Sequence, residues 1–144
     1  MRTLLSLVVG GVMLVPGLIA ADLTGIWMGQ VPGRRSASDI SFQLVQVGTS
    51  LGGKLYEDYG SSPIVEGSVE GEEVAFVVVA REQAGNQINL VSYRYSGSLI
   101  EGQLELTQER VSAVDAVSGA NYVLRQQPEN EGKAPPKIVL KQLL

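Results

Sequence analysis

Apolar and polar residues alternate one for one in several short runs, and that period constrains this chain more than any other feature. Ile40, Phe42 and Leu44 alternate with Ser41 and Gln43; Leu104 and Leu106 alternate with Gln103, Glu105 and Thr107. Successive side chains of a strand point to opposite faces, so this period predicts strands with one buried and one wet face. Further runs of β character cover 23–31, 51–58, 63–70, 73–80, 88–99 and 120–126. No stretch keeps a helical period, although 110–118 has the pattern of one helical turn. Gly48-Thr49-Ser50, Glu70-Gly71-Glu72 and Gln83-Ala84-Gly85-Asn86 place turn residues between consecutive runs. Links this short join antiparallel neighbours. The expected fold is all-β: an antiparallel up-and-down meander closing into a barrel of about eight strands, with a β-sandwich as the alternative.

A small motif recurs along these runs: glycine, any residue, then an aliphatic residue. It occurs at 29–31, 53–55, 67–69, 97–99 and 102–104. The glycine and the aliphatic residue lie two apart and share a face. A strand glycine lets a neighbouring backbone come close and lets the strand coil, as closure requires. The run EVAFVVVA (73–80) is apolar on both faces. It is expected either to be covered on its outer side or to touch another chain.

The N-terminus has one early cation, Arg2, then an uncharged apolar run to Ala21. That pattern is a secretory signal peptide over 1–21, cut after Ala21, with a retained membrane anchor as the alternative. The mature barrel is expected over 22–127. Residues 128–144 form a Pro-rich polar linker with a short apolar end, IVLKQLL (138–144), that either docks on the barrel or meets a partner. Localisation is then periplasmic or extracellular, with no membrane contact after cleavage.

Composition removes much common chemistry. There is no cysteine and no histidine. Disulfides, thiolate metal sites, thiol nucleophiles and the commonest general base are therefore excluded. The formal net charge is −4 and the cations are scattered, which disfavours nucleic acid. GTSLG (48–52) fits the Gly-x-Ser-x-Gly pattern of a hydrolase nucleophile turn. That turn needs a following helix and a histidine; here β-type runs flank it, so Ser50 is read as a hairpin residue. The carboxylates at Glu57-Asp58, Glu66, Glu70, Glu72 and Glu73 sit where charge normally meets solvent. No catalytic residue, metal site or cofactor is assigned, and the chain is not expected to be an enzyme.

Gly25-Ile26-Trp27 on the first strand and Arg125 near the end of the last resemble the Gly-x-Trp and terminal Arg features of the calycins, the lipocalin and avidin superfamily. The wider run from Asp22 to Gln126 looks like a small lipocalin-like β-barrel domain of secreted bacterial proteins. That resemblance implies structural closure roles for Gly25, Trp27 and Arg125, and no catalytic residue. Arg125 would stack on Trp27 across the closing seam. Tyr93 and Tyr95 share a strand face with Val91 and are candidate ligand-binding residues if they line an open mouth. Two functions follow. One is an interaction or accessory module, contacting a protein or a second copy through 73–80 or 138–144. The other is a carrier of a small apolar or lipid-like ligand inside the barrel.

Overall fold

The structure, a computed structural model, describes residues 22–33, 35–58, 60–120 and 135–143. Its eight strands follow one another around a closed antiparallel barrel in chain order: β1 (Gly25–Val31), β2 (Ser38–Val47), β3 (Ser50–Glu57), β4 (Gly60–Glu70), β5 (Glu73–Ala84), β6 (Gln87–Ile100), β7 (Gln103–Asp115) and β8 (Lys137–Gln142). The all-β meander and its closure are as the alternation predicted.

Two-residue turns whose residues are both described make four of the connections. Gly48, Gly71 and Gly85 open three of them, with φ near +61°. A positive φ at that place matches the right-handed twist of the strands it joins. The fourth, between β6 and β7, is Glu101-Gly102, with φ of 50° and 79°. Both residues are left-handed there, which explains how Leu99 and Ile100 can run straight into a hairpin.

The strand glycines do what the recurring motif suggested. A Cβ on Gly29, Gly53, Gly67 or Gly97 would fall under 3.0 Å from a backbone oxygen of the next strand: that of Val139, Gln43, Leu51 or Glu105 respectively. Four of the five motif glycines thus mark places where neighbouring backbones crowd together. The fifth, Gly102, is the turn residue just described.

Two expectations need correction. The segment 110–118 is not a helical turn: β7 runs to Asp115, and only 116–118 turn. The closing strand is β8, within what was read as the apolar tail. It pairs with β1 (Trp27↔Gln142, Gly29↔Leu140) and with β7 (Leu104↔Leu140, Leu106↔Ile138). Ile138 and Leu140 are completely buried, with Val139 and Lys141 turned outward. Their alternation supplies the missing barrel wall, so the barrel does not end at 127. The predicted strand 120–126 falls almost wholly outside the described residues, and Arg125 with it.

Candidate functional site

The hairpin turns divide between the two ends of the barrel. At one end lie the turns at 48–49, 71–72 and 101–102, and the chain enters there through Leu23, which is buried. Trp27 is buried beneath it, and its Nε1 donates to the Leu23 carbonyl at 2.9 Å. Gly25 sits at the seam with a φ of 144°, its α-carbon close to the Gln142 side chain. Gln142 stands opposite Trp27 on β8 and its Nε2 donates to the Thr24 carbonyl at 3.1 Å. Gly25 and Trp27 thus stand at the β1–β8 seam. Gln142, an amide, is the residue paired with Trp27 there.

The middle of the lumen is filled. Phe42 from β2, Phe76 from β5 and Tyr95 from β6 meet there with ring centroids 5.1 to 5.4 Å apart. Two contacts are edge-to-face and Phe76–Tyr95 is stacked, arrangements that suit aromatic quadrupoles. All three rings are at most 1 % exposed. Tyr95 is therefore a core residue; its hydroxyl accepts a 2.7 Å bond from Gln108 Nε2.

At the opposite end three strands outrun the rest. The β4–β5 ladder stops at Ile64↔Val78, one residue short of Pro63, which has no N–H to give. The β5–β6 ladder continues to Ala84↔Gln87, and β6–β7 to Asn89↔Asp115. The outcome is a three-stranded lobe projecting past the barrel rim. A bulge at Val111 (Ser92↔Ser112 is followed by Tyr93↔Arg110) shifts the phase of β7. It brings Arg110, Ala113 and Asp115 to the same inner face as Tyr93, Val91 and Asn89.

That inner face carries a polar network. Ala80, Val91 and Ala113 are small and buried, so longer side chains reach across them. The Tyr93 hydroxyl donates to Glu82 Oε1, and Arg110 Nη2 meets Glu82 Oε2 at 3.2 Å. Nearer the tip, Asp115 Oδ1 accepts the N–H groups of Val117 (2.8 Å) and Ser118 (2.9 Å), while Gln87 Nε2 donates to its other oxygen at 2.5 Å. These backbone bonds, that from Ser118 first, hold the Asp115 carboxyl below its ordinary pKa. Burial, reinforced by the bond to the Glu82 carboxylate, pushes the Tyr93 phenol well above its ordinary value. Burial raises Tyr95 too.

The two shifts make a pH prediction. The native phenols keep protons that the unfolded chain gives up near its ordinary pKa of about 10. Between that pH and the folded values the native state binds more protons, so stability falls as pH rises. The contribution is complete below about pH 10 and declines above it. Urea unfolding between about pH 8 and about pH 11 is expected to show this fall, with a shallower slope in Tyr93→Phe. Equal slopes would mean that Tyr93 is solvated.

Tyr93 and Tyr95 do share the inner face of one strand, but they lie in different places: Tyr95 in the packed core, Tyr93 half-buried at the rim. Glu82, Asn89, Arg110 and Asp115 escaped the sequence reading. Glu82 continues the inward phase of Val74, Phe76, Val78 and Ala80, so an acidic residue in register was the available signal. Arg110 and Asp115 gave none, because the bulge breaks the period between them.

The outer wall of β5 is also partly covered. Val77 points outward yet is only 9 % exposed, flanked in register by Val65 on β4 and Arg94 on β6. Val65 is more open and Val79 half-buried. No protein-family model, curated protein or solved structure matches the chain.

Proposed function

We propose that this chain is an exported, lipocalin-like barrel that acts as a non-enzymatic interaction module and works through its outer wall. The observation that carries the reading is the aromatic trio Phe42–Phe76–Tyr95, buried across the lumen. A carrier needs an interior left free for its cargo, and eight-stranded barrels are narrow enough for side chains to fill. The same packing weighs against Tyr95 as a contact for a small apolar ligand. The outer face of 73–80, with Val65 beside it, is the stretch offered to a protein or to a second copy of this chain. The alternative surface, 138–144, is less suited because β8 spends both edges on its neighbours.

Native mass spectrometry of the full chain from its own host tests this. The expected result is a second copy or a co-purifying protein, lost in the double variant Val65→Glu, Val79→Glu while the unfolding midpoint stays close to that of the parent. Both positions are partly exposed, so the fold tolerates the charge. A bare monomer in the parent, or a reproducible small-molecule adduct in its place, would count against the module.

A further inference from the structure

Asn89 is 5 % exposed, and its Oδ1 is a buried side-chain acceptor without a donor. Buried polar atoms are nearly always satisfied, so one that is not calls for an explanation. Asn89 stands on the inner face of the lobe, opposite Glu82 on β5 and Asp115 on β7. Its two cross-strand neighbours are therefore carboxylates.

The donors close by are already engaged. The Tyr93 hydroxyl and Arg110 Nη2 are directed at Glu82. Gln87 Nε2 and the backbone N–H groups of Val117 and Ser118 are directed at Asp115. A carboxylate offers about four lone pairs, so Glu82 keeps acceptor capacity beyond these two bonds. Two carboxylates against one guanidinium leave the face with one uncompensated negative charge. What Asn89 Oδ1 lacks is an N–H donor, and a positively charged one suits this face best. Beside it, a depression lined by Arg81, Gln87, Ile88, Asp115 and Val117 opens to solvent at the lobe tip, with Arg81 on the opposite face of β5 from Glu82.

We propose that the inner face of the lobe binds the primary ammonium group of a small alkylamine, with Asn89 Oδ1 and the Glu82 carboxylate accepting its N–H groups. Asp115 adds charge at longer range. A calcium ion fits less well, since it asks for six to eight oxygen ligands while Glu82 is tied to a guanidinium and Asp115 to its turn. This site is independent of the outer-wall reading above.

The test is a titration of the full chain with n-butylammonium chloride at fixed ionic strength, followed by the side-chain and backbone amide resonances of residues 82–93 and 110–118. Tetramethylammonium, a cation with no N–H, and calcium are the comparison ligands. The expected result is a saturable shift centred on Asn89 with butylammonium and none with tetramethylammonium. Affinity is expected to drop about tenfold or more in Asn89→Leu, as losing a hydrogen bond to a charged group implies. Three outcomes overturn the site: no saturable shift with butylammonium, in which case Asn89 takes only water; an equal response to tetramethylammonium; or tighter binding of calcium. Unchanged affinity in a folded Asn89→Leu overturns it as well. Should that variant not fold, Glu82→Gln, on the partly exposed edge, gives the same comparison.

Discussion

Gly97→Val is expected to abolish the cooperative unfolding transition, and Gly53→Val to do the same. At both positions the obstacle is backbone. A Cβ on Gly97 meets the Glu105 carbonyl and, close behind it, the Leu106 α-carbon; one on Gly53 meets the Gln43 carbonyl and the Leu44 α-carbon. No rotamer relieves such a clash, so strands β6 and β7, or β2 and β3, must move apart, although each pair is in unbroken register around the glycine. Overpacking in a core already costs about 1–3 kcal/mol when side chains can adjust, and more when they cannot. Gly53 adds a φ of 122°, a conformation that side chains rarely adopt. Against a total stability of roughly 5–15 kcal/mol, losing several closes most of the margin. Gly71→Ala is the control. It also has a positive φ, but its Cβ would meet open space, so it is expected to cost only about 1 kcal/mol. Urea unfolding of Gly97→Ala, the milder version, decides the matter: a cost as small as that of Gly71→Ala would mean that the strands do not approach this closely.

Those glycines show how much was legible beforehand. Period-two runs, hairpin turns and the Gly-x-aliphatic repeat are local signals, and each reports a local fact: which face is wet, where the chain reverses, where a neighbour presses close. They identified the barrel and seven of its strands. What escaped depended on relations between distant residues. The closing strand is six residues long and follows a polar, proline-rich stretch, so its alternation (Ile138 and Leu140 against Val139 and Lys141) has the local look of an apolar tail. The lobe network needs β5 to continue beyond Ala80, where Arg81, Glu82 and Gln83 look like a charged turn. It also needs a bulge at Val111 to rephase β7, and no local pattern announces an extra residue. Tyr93 and Tyr95 were correctly placed on one face, yet depth along the barrel separates a core residue from a rim residue, and alternation carries no information about depth.

Ending the chain at Pro136 is expected to leave no folded barrel, and this distinguishes a closing strand from an appendage. Ile138 and Leu140 are fully buried against Leu104, Leu106 and Trp27 in one core. Burying such side chains stabilises by about 1.5–3 kcal/mol each. Their removal would also open that core to water along its whole height and strip the hydrogen-bonding edges of β1 and β7 at once. Trp27 loses its β8 neighbour Gln142, and Gln103–Thr107 lose their ladder. A closed barrel has no free edges, whereas the shortened chain would have two, each a template for aggregation. The losses together rival the whole stability of a domain this size. Far-ultraviolet circular dichroism on heating should show no cooperative transition. A synthetic peptide of residues 135–144, added in excess, should restore one, because pairing in trans replaces the same edges. An appendage would behave differently: the shortened chain would melt cooperatively at the parent midpoint, the peptide would change nothing, and only contact with a partner would be lost. That outcome would return 138–144 to the list of docking surfaces and reopen the question of what closes the seam beside Trp27.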